Sequence, residues 1–75
     1  MMKAILKSTT HAQMLLSVGK TFLFYDKPIK NERFACYGVD TKAVIFSSVV
    51  TFVGNVGNTL RIATSNSEYI FEVTE

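Results

Sequence analysis

The chain has little of the chemistry that holds very small proteins together. It contains one cysteine, Cys36, so no internal disulfide can form. Its one histidine, His11, cannot complete a structural zinc site with that cysteine, because such a site needs about four ligands. We therefore expect neither a metal ion nor another cofactor.

Long apolar runs are also missing. The longest, residues 49–53, is interrupted by Thr51 and falls far short of the ~20 residues that cross a bilayer. Lys3 and Lys7 are not followed by an apolar stretch of signal-peptide length. We expect a cytoplasmic protein without a membrane segment, in the host cytoplasm if the chain is phage-encoded.

Length and composition describe a single folded unit. With 75 residues the chain has no room for a second domain, so residues 1–75 form one small domain. Hydrophobic residues make up 48% and charged residues 19% of the chain, which is the composition of a chain that collapses. Intrinsic disorder is therefore excluded.

The C-terminal third has the alternation of antiparallel strands. Residues 59–64 place Leu60 and Ile62 on one face, and residues 68–74 alternate in the same way. The segment 65–67, Ser-Asn-Ser, has side chains that bond their own backbone in turns. The pattern predicts a hairpin.

Residues 42–53 predict another strand, but one that is apolar on both faces. Val44, Phe46, Val50 and Phe52 share one parity, and the residues between them are also mostly apolar. The pair at positions 47 and 48, both serine, is compatible with a bulge that bends the strand around a barrel corner. Residues 54–58, rich in Gly and Asn, predict the following turn.

The first half of the chain is less regular. Residues 22–25 and 34–39 are strands by composition, and residues 2–6 add an N-terminal strand. Residues 11–18 have two interpretations. Thr10 and Gln13 match a helical capping box, whereas Met14, Leu16 and Val18 share a parity that suits a strand. We favour the strand.

These elements predict an all-β fold, a small antiparallel barrel or roll of five or six strands with at most one short helix near residues 11–18. In size it resembles SH3-like or OB-like modules. A domain this small buries only ~60% of the surface of its unfolded chain, so it cannot hide two apolar faces. We predict a homo-oligomer. The alternative is that loops leave several of these residues half-buried, as small proteins tolerate.

Candidate catalytic groups are few. His11 has no acidic residue close to it in sequence, so a solvated loop histidine is a better interpretation than a general base. Cys36 lies within a predicted strand with no flanking cation to lower its pKa, which favours an inert buried thiol. No two acidic residues form a recognisable acid–base pair. We predict that the protein is not an enzyme.

Basic residues are concentrated in the first half, where residues 1–33 carry six of the eight. Three of them share one connecting loop flanked by aromatic residues, an arrangement that can hold a phosphate and stack a base. The predicted ligand- or partner-binding residues are Tyr25, Lys27, Lys30, Arg33 and Tyr37, together with the outward Arg61. The alternative is a solvated loop whose lysines prevent edge-to-edge pairing, and we give it somewhat more weight.

The closing segment Thr64-Ser65-Asn66-Ser67-Glu68-Tyr69 resembles the Thr-x-Asn-Ser-x-Tyr ending of short all-β proteins encoded by bacteriophages and prophages. The resemblance covers six of the 75 residues. It implies a viral or mobile-element origin, and a non-enzymatic inhibitor or sequestering factor directed at host machinery.

The leading functional prediction is a small non-enzymatic binding protein that self-associates. It binds a host protein or a small anionic ligand such as a nucleotide. One alternative is a β-barrel that binds single-stranded nucleic acid, although a net charge of +2 favours only weak non-specific affinity. The other alternative is a structural subunit of a larger assembly.

Overall fold

Antiparallel strands account for most of the protein, which we describe from a computed structural model covering all residues from 1 to 75. The elements are β1 (Met2–Thr9), a 3₁₀ helix (Ala12–Ser17), β2 (Thr21–Phe24), β3 (Arg33–Gly38), β4 (Val44–Val56), β5 (Thr59–Thr64) and β6 (Glu68–Val73). Successive strands pair, and β1 also pairs with β6, so the ring of strands closes into a small barrel. The predicted all-β fold is confirmed.

The interior is filled by aromatic and aliphatic side chains from every strand. Phe71 lies at its centre, with its ring edge-on to Phe22 at 6.0 Å and to Phe24 at 5.0 Å between ring centroids. Phe34 packs against Phe24 and, edge-on, against Tyr69. Edge-to-face packing brings the positive edge of one ring onto the negative face of the next. These five rings form the aromatic part of the core inside the barrel.

Strand β4 belongs to two halves of the barrel. Its first half pairs with β3, from Val44 to Val49, and its second half pairs with β5, from Val50 to Val56. Both ladders contain a register shift that leaves an extra residue on β4. The first shift falls at the two serines, 47 and 48, so the predicted bulge is confirmed.

The bulges overturn one expectation, that Val44, Phe46, Val50 and Phe52 share a face. Each extra residue reverses the side-chain alternation, so Val50 is fully buried while the other three are exposed. The strand also continues into the segment predicted as a turn, residues 54–58, and ends at Val56. Its return to β5 is a two-residue turn with positive φ at Gly57, as in a type II′ turn.

Ser47 stabilises the first bulge with its side chain. Its hydroxyl accepts a 3.0 Å hydrogen bond from the Phe34 N–H and donates one of 2.6 Å to the Ser48 carbonyl. The hydroxyl therefore takes the place of the carbonyl that a regular ladder would offer to this buried amide.

The strand favoured for residues 11–18 is wrong, because this segment forms the 3₁₀ helix instead. β1 and β2 are antiparallel neighbours, so the chain must reverse its direction between them. Residues 11–18 belong to this connection and do not extend β2. Only Met14 of the helix is buried, and Gly19 ends the segment at φ 91°. The helix begins after His11 rather than Thr10, whose hydroxyl instead accepts the Glu68 N–H. No helix of the structure has the length and apolar character that a membrane crossing requires.

The predicted closing hairpin is confirmed, and its turn is built by Thr64. The Thr64 hydroxyl donates to the Ser67 carbonyl at 3.1 Å and accepts from the backbone N–H groups of Asn66 and Ser67. The Asn66 amide donates to the hydroxyl of Ser48 at 2.6 Å, which joins the turn to β4. Turn hydrogen bonding is a structural reason for threonine, asparagine and serine at these positions.

We expect Ser47→Ala to lower the free energy of unfolding by about 1–3 kcal/mol, since the buried Phe34 N–H loses its acceptor. Urea denaturation of the two proteins measures the difference. Ser8→Ala is the matched control because Ser8 is exposed on β1. Equal stability of the two variants would show that the hydroxyl does not support the bulge.

Candidate functional site

The loop between β2 and β3 is held in place at several points. Pro28 is buried, and the Glu32 N–H donates to the Ile29 carbonyl across a turn in which Asn31 has φ 76°. Asparagine is one of the few residues that adopt this left-handed conformation readily. The loop is also tied to β4, because the Asn31 N–H donates to the Val50 carbonyl at 2.8 Å and the backbone carbonyl of Glu32 accepts the Val50 N–H at 2.9 Å.

This anchored loop forms one wall of a cleft of about 440 Å³, which we call the loop cleft. Its lining residues are Tyr25, Asp26, Lys27, Ile29, Glu32, Arg33, Phe34 and Ala35. The cleft has the size of a small-molecule site. Tyr25 is 54% exposed, which leaves its ring accessible to a flat ligand.

The charges of the loop cleft are balanced. Lys27 and Arg33 supply two positive charges, while Asp26 and Glu32 supply two negative ones. None of the four takes part in a salt bridge within the protein. Both cations are therefore available to a ligand, but the cleft has no net positive charge that would attract a polyanion.

The structure brings only half of the predicted site residues together. Tyr25, Lys27 and Arg33 line the loop cleft, whereas Lys30 lies exposed in the same loop and does not. Tyr37 is half-buried on β3, opposite Leu23 and Val44. Arg61 lies on β5 and forms a 3.0 Å salt bridge with Glu68.

A second feature lies on the outside of strands β2, β3 and β4. Cross-strand pairing places Leu23, Tyr37 and Val44 in one row, and Ala35 and Phe46 in the next. We call these five residues the outer apolar face. Val44 is 50% exposed and Phe46 is 71% exposed, so the β4 edge of this face is the least covered.

The other exposed aromatic residue of β4 has a partner within its own strand. A methyl group added at Gly54 would lie 2.9 Å from the ring of Phe52, so this ring covers the glycine backbone. Packing of an aromatic ring over a strand glycine protects a weak point of a sheet. Phe52 therefore has a local role, which Phe46 lacks.

The candidate nucleophile and base are both poorly placed for catalysis. Cys36 has no exposed surface, and burial raises the pKa of its thiol from 9.0 to about 12. His11 lies partly buried near the ring of Tyr69, with a buried Nδ1 that has no hydrogen-bond partner. No group of three His, Cys, Asp or Glu side chains is arranged to hold a metal ion.

Sequence reasoning missed two parts of these sites. The carboxylates of Asp26 and Glu32 flank the basic residues in the sequence and signal the balance of charge, but only the fold places them in one cleft. The exposure of Val44 and Phe46, separated from buried Val50, depends on the bulges. The adjacent serines were the available signal for this separation.

Comparison with protein-family models, with curated proteins and with solved structures finds no match for this chain. The resemblance of the closing segment to phage proteins stays a prediction.

We expect the free energy of unfolding to fall as the pH rises above 9, by about 1 kcal/mol between pH 8 and pH 10. The thiol of Cys36 ionises in the unfolded chain near pH 9, but burial keeps it protonated in the folded protein. The unfolded state therefore binds fewer protons and is favoured as the pH rises.

Urea denaturation at the two pH values measures this change, and Cys36→Ala is expected to make it smaller. Burial also raises the pKa of Tyr69 above its usual 10.0, so Tyr69 adds to the effect chiefly above this window. An equal pH dependence in the variant would contradict the assignment to Cys36.

Proposed function

We propose that this chain is a non-enzymatic binding protein that works as a homo-oligomer. The β4 edge of the outer apolar face lies at its subunit interface, and the loop cleft binds a small ligand or a segment of a partner. The observation that carries the proposal is the exposure of adjacent apolar side chains, Val44 and Phe46, at the β4 edge of an apolar outer surface.

The energy of this exposure favours self-association. A large apolar side chain left in water forgoes about 1.5–3 kcal/mol, which is a substantial fraction of the stability of a small domain. Phe46 packs over no glycine and lies on the surface, not in the core. A second copy that packs against the side chains at this edge recovers part of this energy in each subunit, because a two-fold interface buries the same residues in both.

The state of Cys36 supports a non-enzymatic role. Its thiol is buried and its pKa is raised, so the thiolate needed for nucleophilic attack is scarce at neutral pH. The three salt bridges of the protein, Lys3–Glu75, Lys7–Glu72 and Arg61–Glu68, pair other charged groups on its surface. The unpaired cations of the loop cleft fit a ligand held by charge, without a reaction.

We expect Phe46→Glu to shift the protein towards a monomer of 8.4 kDa and to raise the dissociation constant of the oligomer at least about tenfold. The carboxylate cannot be buried in an apolar interface without a partner. Gel filtration with multi-angle light scattering, over a range of protein concentrations, measures the mass.

Leu16→Glu is the matched control for this substitution, since Leu16 is 90% exposed on the 3₁₀ helix and lies outside the outer apolar face. This variant should keep the mass of the unmodified protein. A monomeric unmodified protein at high micromolar concentration would remove the basis of the proposal.

The balance of charge in the loop cleft favours a compact ligand with one anionic group and a flat ring. The ring stacks on Tyr25, and the anion is held by Lys27. A long single-stranded nucleic acid fits less well, because Asp26 and Glu32 repel its further phosphates.

We expect Lys27→Ala to weaken the binding of adenosine monophosphate about tenfold, through loss of a charge-assisted hydrogen bond. Isothermal titration calorimetry measures the affinity. Lys20→Ala, an exposed lysine outside the cleft, should bind as the unmodified protein does. Failure of the nucleotide to bind, with retention of a labelled thymidine decamer, would favour the nucleic-acid alternative.

The biological role that fits these sites is inhibition or sequestration. A small oligomer with two identical clefts can capture a ligand or a host protein without turnover. The resemblance of the closing segment to phage-encoded proteins is the ground for assigning this role to a viral protein.

A further inference from the structure

The first half of β4 has a backbone edge that no strand of the protein covers. The Gly38 N–H donates to the Ala43 carbonyl at 2.9 Å. This bond shows which residue pairs between β3 and β4 are hydrogen-bonded and which are not. Because hydrogen-bonded and non-hydrogen-bonded pairs alternate in an antiparallel ladder, Cys36 and Ile45 form the next bonded pair. Val44 and Phe46 therefore direct their N–H and C=O groups away from β3.

The neighbouring strand on that side begins too late to reach them. Pairing of β4 with β5 starts at Val50, opposite Thr64. The turn after β5 makes two contacts with β4. The Val49 carbonyl accepts the Ser65 N–H at 3.0 Å, and the Ser48 hydroxyl accepts a hydrogen bond from the Asn66 side chain. The groups of Val44 and Phe46 lie beyond that turn and face solvent.

We propose that this free edge pairs with the same edge of a second copy, antiparallel, around a two-fold axis at Ile45. The inference rests on the self-association proposed above and specifies how it occurs. In this register Val44 lies opposite Phe46 of the partner subunit, and the reverse pair is identical. The two exposed side chains then meet on the outer surface and join the two outer apolar faces into one continuous strip.

The length of the edge favours a second copy over an unrelated extended peptide. The edge is bounded at one end by Lys42, which has φ 57°, and at the other by the bulge at Ser47. A longer foreign strand would meet an irregular backbone at both ends. The same edge of a second copy is interrupted at matching positions, so the two short segments fit each other.

Charge complementarity favours the same partner. Next to the edge lies a cleft of about 370 Å³ bordered by Arg33, Ser48 and Asn66. In the antiparallel register the turn that contains Asp40 approaches this cleft of the partner subunit, with Lys42 opposite Ser48 of the partner subunit. Asp40 and Arg33 form no salt bridge within one subunit. The dimer thus forms two equivalent pairs between them.

Amide hydrogen exchange followed by NMR tests the pairing directly. Protection of the Val44 and Phe46 amides should rise at least tenfold between a dilute, monomeric sample and a concentrated, dimeric one. Ile45, which is bonded to β3, is the internal control and should be protected in both samples.

Val44→Pro removes an N–H that the fold itself does not use, and it should make the protein monomeric while leaving it folded by circular dichroism. Val44→Ile keeps both the N–H and the apolar side chain, and it should stay dimeric. If Val44→Pro proves unfolded, the exchange measurement still decides the question.

Charge exchange tests the register. Asp40→Arg and Arg33→Asp should each weaken the dimer about fivefold through like-charge contacts at the interface, and the double variant should recover most of the loss. No recovery in the double variant would overturn this register.

The outcomes separate the two proposals. A protein that is monomeric at every concentration overturns both of them. A dimer in which Phe46→Glu is disruptive but the Val44 and Phe46 amides exchange freely keeps the proposed self-association and overturns the edge pairing.

Discussion

The bend in β4 is the constraint on which the rest of the protein depends. One strand of 13 residues serves both β3 and β5, and it can do so only because two extra residues turn it from one half of the barrel to the other. The hydroxyl of Ser47 stabilises the first of these bulges, because it accepts a hydrogen bond from the buried N–H of Phe34. Without this bend the ring of strands could not close around so small a core.

The bend also decides which apolar residues are covered. Val50 points inward and joins the ring cluster around Phe71, whereas Val44 and Phe46 point outward on the same strand. Because β5 pairs only with the second half of β4, the first half keeps a free backbone edge beside those exposed side chains. Exposed apolar groups and unpaired backbone groups therefore occur at one place, which is the combination that favours strand-to-strand association.

The loop cleft has a separate origin in the connection between β2 and β3. Buried Pro28 and the left-handed Asn31 hold the loop against β4, so its charged side chains are displayed from a fixed backbone. A rigid loop lowers the entropic cost of binding a ligand. The equal number of cations and carboxylates distinguishes this cleft from a surface suited to nucleic acid.

The sequence by itself determined the local features of this protein, namely the alternation that makes β5 and β6 a hairpin and the strands around Phe24 and Phe34. These features depend on neighbours in the chain and on residue type alone. The tertiary structure decided the rest. Within residues 11–18 a 3₁₀ helix joins β1 to β2, and Arg61 forms a salt bridge with Glu68 on the neighbouring strand and does not line the loop cleft. The faces of β4 were decided by bulges whose position depends on two different partner strands, and no pattern along one strand records both.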